Sequence, residues 1–403
     1  MTSPSSGGSP SESIKVIDLF SGAGGLTTGF HRYVPDGSTS SPFESVAAVE
    51  FDKSAASTYA ANFPGAEVHA GDIADWDPGD FTDAEVILGG PPCQGFSGLG
   101  KEDPDDPRNL LWQEYKRVVE KVAPRIFVME NVDRFLRSPQ FEDLQNAVHD
   151  GEFSNYTLRV KILNSADYGV PQARRRVIVI GTHNDLPPVE HPEPTHDRRP
   201  ERWQPSLGSD GPDSPPLPWV AVGPAVFART QSMEIKGVDL PHRPGDDQSP
   251  LGLRKPGPFL TQELHIGRTP EPLSLARYAA IPQGGNRHNL RGQYAEIDGE
   301  EVYLSTKSWD KHNAGSGDVM GRMHYDRPSV TIRTEPHKPE KGRYLHPTEH
   351  RPITYYEAAL IQGFPEDFKW HGTKIDIARQ IGNAVPIGLA KELARVVHEA
   401  LKG

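Results

Sequence analysis

The sequence predicts a doubly wound α/β fold, with a Rossmann-like sheet and a second, smaller and loop-rich domain. Three observations support this prediction. The first 185 residues alternate short apolar runs with stretches of helical periodicity. A glycine cluster follows the first apolar run, where a doubly wound sheet binds nucleotides. The alternation then gives way to a segment dense in proline, which disfavours regular elements.

Six apolar runs have the length of buried strands. They cover residues 14–20, 45–50, 85–88, 125–129, 156–163 and 176–181. Helical spacing of apolar residues predicts a helix over 111–122 that stops at Pro124, and alanine-rich residues 52–63 predict another. Late in the chain, residues 355–361 and a closing segment from Pro386 show the same spacing.

The domain boundaries are predicted from composition. Sixteen prolines lie between Leu186 and Pro258, which favours extended backbone over helices and strands. We expect residues 14–185 and 352–403 to form one domain, because the closing helix completes the first sheet. Residues 186–351 form the second domain in this prediction. The polar start, residues 1–13, lacks the features of a signal peptide and is expected to be a disordered tail.

Composition limits the class of protein. The chain has 403 residues, no apolar run of membrane-spanning length and one cysteine, so no intramolecular disulfide can form. We therefore expect a cytoplasmic protein that binds no metal. The formal net charge of −12 disfavours a polyanion partner. Its distribution is uneven, however, because residues 319–351 carry seven Lys and Arg, four acids and four histidines.

Cys93 is the first candidate catalytic residue. It lies in the run GGPPCQGFS, directly after the third apolar run. A lone cysteine is more often an inert buried residue, but two prolines before it and Gly95 after it place the thiol on an irregular loop. Beyond the carboxyl end of a strand, backbone N–H groups lower a thiol pKa. The surroundings therefore favour a nucleophile.

A candidate nucleoside site follows the first two apolar runs. The glycines of DLFSGAGGL let backbone approach a ligand, but Thr27 replaces the last glycine of the GxGxxG pattern, which disfavours a pyrophosphate ligand. Glu50, at the end of the second run, is placed to accept two ribose hydroxyls. Asp72 is placed to accept the amino group of an adenine. Helix capping or simple exposure is the alternative explanation for both carboxylates.

Further charged candidates lie near the fourth and sixth runs. Glu130 closes the fourth run, where partial burial would raise its pKa towards neutrality and suit it to proton sharing with a ring nitrogen. Arg174 and Arg176 point the same way in a strand and are placed to meet one anion or carbonyl, whereas Arg175 points the opposite way. A solvated basic turn is the alternative for this triplet.

Taken in order, these segments resemble the DNA cytosine-5 methyltransferase family. The resemblance rests on DLFSGAGGL, Glu50, GDI at 71–73, GGPPCQGFS, ENV at 130–132, PQARRR at 171–176, RPSVTI at 327–332 and QIGNAVP at 380–386. It covers nearly all of the α/β part, and only about 186–320 is poorly matched, where that family carries its variable target-recognition region. Ile387 and Tyr356 depart from residues often found in the family.

The resemblance implies a mechanism and its partners. Cys93 would add to carbon 6 of a cytosine flipped out of duplex DNA, Glu130 would contact ring nitrogen 3 and the exocyclic amine, Arg176 would hold the carbonyl oxygen, and Arg174 would steady the cysteine loop or a phosphate. S-adenosyl-methionine would supply the methyl group. The enzyme is expected to be a nucleoid-associated monomer, and a cognate restriction endonuclease is left open. The implied cofactor contacts are Phe20, Gly22, Gly24, Leu26, Glu50, Phe51, Asp72, Ile73, Pro92, Leu111, Asn383 and Val385.

Three alternatives stay open at this point. A transfer-RNA cytosine-5 methyltransferase would use the same catalytic set, but that subfamily carries a second cysteine motif that this chain lacks. A catalytically silent DNA-binding partner would keep the fold, although Cys93, Glu130 and Arg176 are all present. A dinucleotide oxidoreductase would need the missing third glycine.

Overall fold

The computed structural model describes residues 13–92, 107–202, 214–242, 248–311 and 317–403, with the backbone alone at 107–110. Ten α-helices lie in these residues, and two of them are short. They are α1 Gly25–Arg32, α2 Lys53–Asn62, α3 Pro107–Val122, α4 Pro139–His149, α5 Ala228–Thr230, α6 Pro272–Ala280, α7 Lys307–Lys311, α8 Tyr355–Gln362, α9 Lys374–Asn383 and α10 Ile387–Lys402. None of these described helices has both the length and the apolar content to cross a bilayer.

Seven strands form the main sheet in the order β3-β2-β1-β4-β5-β7-β6. They are β1 Ile14–Leu19, β2 Phe43–Val49, β3 Glu67–His69, β4 Val86–Gly89, β5 Ile126–Asn131, β6 Tyr156–Asn164 and β7 Arg175–His183. The first five strands run parallel, and β7 runs antiparallel to both β5 and β6. The α/β class and all six predicted strands are confirmed, with ends displaced by one or two residues.

Helices cover both faces of this sheet, as a doubly wound fold requires. On β1, Val16 packs in the core with α1 and α10, whereas the next residue, Ile17, packs in the opposite core with α3 and α4. Successive residues of a strand point to opposite faces, so a strand covered on both sides is apolar throughout. The predicted closing helix is present as α10, which packs on α1.

The smaller part of the chain has little regular structure. Its strands are β8 His196–Asp197, β9 Leu217–Pro218, β10 Phe259–Leu260, β11 Tyr294–Ile297 and β12 Glu300–Tyr303, and β10 pairs with β13 Lys369–Trp370 from the last part of the chain. Two apolar clusters hold it together. One surrounds Tyr278 and Leu345, and the other joins Val222 and Leu264 to residues of α8 and α9. The second cluster therefore lies across the boundary predicted at 351.

The strand order reverses between β1 and β4, because β2 and β3 lie on one side of β1 whereas β4 and β5 lie on the other. At such a switch point the loops after the two strands diverge and leave a crevice at their carboxyl ends. The glycine turn after Leu19 and the prolines after Gly89 both begin at this edge. The fold thus places the two predicted loops side by side.

Candidate functional site

Glu130 and Arg176 meet at the carboxyl end of β5. Glu130 lies one residue before the end of β5, and Arg176 is the second residue of the neighbouring antiparallel strand β7, just past the last register pair, Asn131 with Val177. The Arg176 Nε atom lies 2.7 Å from Glu130 Oε1, and both side chains are largely buried, at 16% and 13% exposure. This ion pair presents an acceptor and a donor together at the crevice.

The segment that leads to Cys93 lies against this pair. A Cβ atom placed on Gly90 would lie 3.4 Å from Glu130 Oε2, an ordinary van der Waals distance, so the backbone at Gly90 runs alongside that carboxylate. Asn131 Nδ2 donates to the Pro91 carbonyl at 2.9 Å, and Asn131 Oδ1 accepts from the Val132 N–H at 2.9 Å. Pro92 is half-buried. Cys93 itself lies outside the described residues.

Arg174 occupies a different environment from Arg176. Its guanidinium is buried and donates through Nη1 to the carbonyls of Ile332 and Gly382, both at 2.9 Å, with a weaker contact of 3.4 Å from Nη2 to the Asn383 carbonyl. Burial lowers the pKa of Arg174 to about 9, because the charged guanidinium has lost its water.

The expectation that Arg174 and Arg176 share one anion is therefore wrong in this structure. Arg174 lies one residue before β7 begins, and its side chain turns into the protein, where it contacts carbonyls of two later segments. Arg175 points to the other side, as predicted, with 64% of its side chain exposed and its Nε atom 3.4 Å from Asp133 Oδ2. Arg174 thus ties the start of β7 to the backbone near Ile332 and Gly382.

Gln172 fixes the segment before β7. Its side chain, fully buried, accepts from the Ile332 N–H at 2.8 Å and donates to Gln362 Oε1 at 2.7 Å. Backbone hydrogen bonds join Ala173 to Ser329 at 2.8 Å and Ser329 to Pro171 at 2.9 Å. The segment RPSVTI is thus held beside the start of β7 by both backbone and side chain.

The predicted cofactor residues Gly22 and Glu50 contact each other. Glu50 Oε2 accepts from the Gly22 N–H at 2.8 Å, and Oε1 accepts from the Asp52 N–H at 2.7 Å. Burial raises the pKa of Glu50, while these two backbone donors act in the opposite direction. Gly22 and Gly24 have φ of 55° and 84°, a region that favours glycine, and Phe20 has φ of 54°. The turn carries backbone strain at Phe20.

Phe51 and Ile73, which follow Glu50 and Asp72 in the chain, differ in how far their side chains are exposed. Phe51 is 74% exposed, the highest value among the large apolar residues of the described chain, whereas Ile73 is buried at 2%. Asp72 is exposed and caps a short helical turn, with its Oδ1 accepting from the Ala74 N–H at 3.0 Å. Asp72 therefore caps a helical turn, which was the alternative explanation for this carboxylate. Its other oxygen, Oδ2, is not part of this cap.

The end of α9 closes this side of the crevice. Asn383 is exposed at the helix end, while Val385 is buried and packs in the same core as Leu26. A Cβ atom on Gly25 would lie 2.9 Å from the Val385 carbonyl oxygen, so the glycine turn and the QIGNAVP segment touch. Leu111, in α3, is half-buried against the core beneath β1 and β4.

Sequence reasoning missed the roles of three buried polar residues. Asn131 and Gln172 lie in quoted runs, ENV and PQARRR, but their partners are 40 and 190 residues away in the chain. Asp18, in DLFSGAGGL, is also buried, at 1% exposure. The sequence did contain a sign of these roles, because each polar side chain lies within or next to an apolar strand. A polar side chain buried there requires a hydrogen-bond partner.

Comparison with known proteins agrees with this arrangement. The family model "C-5 cytosine-specific DNA methylase" matches residues 14–216 and 267–399. The type II methyltransferase M1.HphI of Haemophilus parahaemolyticus is 30% identical over 397 residues, which is 96% of this chain and 87% of that protein. M.DdeI of Desulfomicrobium norvegicum is 31% identical over 398 residues, with 94% and 88% covered.

Solved structures show the same fold. A prophage-encoded protein from E. coli, assigned as a DNA modification methyltransferase, superposes with a TM-score of 0.63 at 24% identity and covers 97% of this chain and 100% of its own. The Dnmt2 methyltransferase of S. pombe superposes with a TM-score of 0.53 at 17% identity, with 97% and 100% covered. With the family model spanning most of the sequence, the chain belongs to the C-5 cytosine-specific DNA methylase family.

Proposed function

We propose that this enzyme transfers a methyl group from S-adenosyl-methionine to carbon 5 of a flipped-out cytosine in a specific duplex DNA sequence, through a covalent adduct with Cys93. The observation that carries the proposal is the ion pair of Glu130 and Arg176, 2.7 Å apart at the crevice, beside the Gly90 to Pro92 segment that precedes Cys93. A paired carboxylate and guanidinium match the ring edge and the carbonyl of cytosine.

Cys93 supplies the nucleophile in this proposal. Carbon 5 of cytosine is a poor nucleophile until the thiolate adds to carbon 6, which forms a carbon–sulfur bond and an enamine. Carbon 5 then takes the methyl group, whose bond to sulfur breaks and leaves S-adenosyl-homocysteine. Loss of the carbon 5 proton to solvent and expulsion of the Cys93 thiolate restore the aromatic ring.

Glu130 and Arg176 hold the base during these steps. Glu130 hydrogen-bonds ring nitrogen 3 and the exocyclic amine, and so stabilises the adduct by sharing a proton with the ring. Arg176 donates to the carbonyl oxygen of the base. Because the two side chains already contact each other, the base meets a preformed site, and little reorganisation is required when it enters. Asn131 fixes the Pro91 carbonyl and thereby the approach to Cys93.

The residues at the glycine turn fit S-adenosyl-methionine, which supplies the methyl group when it is bound. Phe51 offers an exposed aromatic face for an adenine. Glu50 retains free lone pairs for two ribose hydroxyls, because each oxygen accepts one backbone N–H. The proposed contacts are Phe20, Gly22, Gly24, Leu26, Glu50, Phe51, Asp72, Ile73, Pro92, Leu111, Asn383 and Val385.

The DNA would lie between the two parts of the chain. We propose that residues 14–185 and 352–403 form the catalytic domain and that 186–351 read the target sequence. Exposed basic side chains of that region, such as Arg327, are suited to phosphate contacts. The relatives M1.HphI and M.DdeI are named type II methyltransferases, which favours a role beside a restriction endonuclease. With DNA as its substrate, the enzyme would be located in the cytoplasm, associated with the nucleoid. We propose that it acts as a monomer.

Transfer of a tritiated methyl group to unmethylated duplex DNA tests the proposal. The wild-type chain should label DNA, and bisulfite sequencing of the product should report one recognition sequence. Cys93→Ala should remove labelling but retain donor binding by calorimetry. Arg175→Met serves as the matched control, because Arg175 is exposed and faces away from Glu130. Labelling of a transfer-RNA transcript in place of DNA would contradict the proposed substrate.

A further inference from the structure

A buried polar cluster lies beneath the glycine turn. It consists of Asp18, Thr27 and Tyr59, one residue each from β1, α1 and α2, and is called here the Asp18 cluster. Asp18 is 1% exposed, and Thr27 and Tyr59 are fully buried. The Thr27 hydroxyl donates to Asp18 Oδ2 at 2.6 Å, and its oxygen lies 3.0 Å from the Tyr59 hydroxyl.

Among the residues that the structure describes, no basic side chain compensates the charge of Asp18. Glu50, a half-buried carboxyl beside the turn, acts on Asp18 as a like charge. Within the described residues no ion pair joins either carboxyl to a basic side chain. On α9, Arg379 pairs with Asp52 at 3.0 Å, and on α1, His31 bonds Ser45 Oγ at 2.9 Å. The floor of the turn is therefore a buried acidic region.

A buried carboxyl without a cation is costly to ionise. Burial raises the pKa of Asp18 to about 7, the hydrogen bond from Thr27 opposes this shift, and the charge of Glu50 adds to it. A cationic ligand on the turn would favour the ionised carboxyl, whereas a neutral ligand would not.

We propose that the Asp18 carboxylate makes the site select the methyl donor over its demethylated product by charge. The proposal rests on the function proposed above. S-adenosyl-methionine carries a positive sulfonium, whereas S-adenosyl-homocysteine carries a neutral thioether at the same place. The two ligands share the adenosine and amino-acid groups, so contacts with Glu50, Phe51 and Asp72 are common to both. Only the charge and one methyl group differ, and Asp18 senses the charge.

The direction of the pH dependence follows from linkage. Because the sulfonium favours ionised Asp18, donor binding lowers the pKa of that carboxyl and releases part of a proton near neutral pH. Donor affinity therefore rises with pH through neutrality. Product affinity stays nearly constant over the same range, since the thioether does not distinguish the two states of Asp18. For each unit by which the sulfonium lowers the pKa of Asp18, the ratio of donor to product affinity rises by up to about tenfold across this pH range.

Titration calorimetry of both ligands from about pH 6 to about pH 7.5 tests the proposal, a range that ends below the ordinary pKa of an α-amino group. For the wild-type enzyme, the ratio of donor to product affinity should rise with pH, and donor binding should release protons in buffers of different ionisation enthalpy. Asp18→Asn keeps the shape and the bond to Thr27 but removes the charge. It should lower donor affinity roughly tenfold at the upper pH, leave product affinity unchanged and abolish the pH dependence.

Tyr59→Phe is the matched control. It removes a hydroxyl of the Asp18 cluster but keeps the carboxylate, so any change should affect both ligands equally and leave the ratio intact. An Asp18→Asn variant that weakens both ligands equally, or a wild-type ratio that does not vary with pH, would overturn the proposal. If Asp18→Asn does not fold, Thr27→Val provides the test, because loss of the opposing hydrogen bond should move the rise in donor affinity to higher pH. An unmoved rise would also overturn it.

Failure of this inference is distinguishable from failure of the proposed function. If the wild-type chain binds neither ligand, then the assignment of S-adenosyl-methionine itself is wrong. If it binds both ligands with a ratio that does not vary with pH, only the role of Asp18 is refuted.

Discussion

Substitution of Arg174 by Met tests whether this residue positions the segments around the site. Methionine keeps much of the aliphatic volume but removes the donors to the Ile332 and Gly382 carbonyls, both 2.9 Å away. A buried carbonyl left without a donor costs about 1–3 kcal/mol, so two of them cost about 2–6 kcal/mol. The total stability of a folded protein is only about 5–15 kcal/mol. The change is therefore large enough to measure directly.

Urea unfolding followed by tryptophan fluorescence is the assay. With a urea slope of about 3 kcal/mol per molar, the midpoint should fall by about 0.7–2 M. Arg175→Met is the neighbouring control, because its side chain is 64% exposed and its ion pair with Asp133 spans 3.4 Å. That variant should lose less than about 1 kcal/mol. Equal midpoints for the two variants would refute the positioning role of Arg174.

Three further predictions concern separate parts of the molecule. Asn131→Ala frees the Pro91 carbonyl, and kcat should fall at least about tenfold while donor affinity by calorimetry stays within a factor of two. Phe51→Ala removes the exposed aromatic face, and the donor Kd should rise about tenfold, whereas Val132→Ala, also exposed, should leave it unchanged. Glu357 is fully buried and bonded twice by Arg351, at 2.8 and 2.9 Å, which holds its pKa below the usual 4.5. Its stabilisation should be complete above that pH and decrease as the pH falls below it, and Glu357→Gln should flatten the acid limb of the stability curve.

The regular elements of the main sheet follow from the sequence because each is encoded locally. A strand buried on both faces is an unbroken apolar run, and α8 begins with a capping box in which Thr354 and Glu357 exchange hydrogen bonds. Local encoding fails where an element is short or polar. Strand β3 has three residues, none of them buried, and helix α1 opens with Gly25 and contains two threonines. Neither was predicted.

Site residues could be predicted where the local sequence alone marks them. They could not be predicted where their contacts come from segments far apart in the chain. Glu130 closes an apolar strand, which marks it without further information. The partners of Arg174 are 158 and 208 residues away, and no local pattern indicates them. The antiparallel placement of β7 between β5 and β6 is likewise a tertiary property, although it brings Arg176 to Glu130.

The covalent step through Cys93 is the central claim of the proposed mechanism. A duplex in which the target cytosine carries fluorine at carbon 5 cannot lose that substituent as a proton, so the adduct should persist after methyl transfer. Mass spectrometry of the enzyme incubated with this duplex and S-adenosyl-methionine should find one conjugate, on the peptide that contains Cys93. Absence of a conjugate under conditions in which ordinary DNA is methylated, or attachment at another residue, would contradict the account.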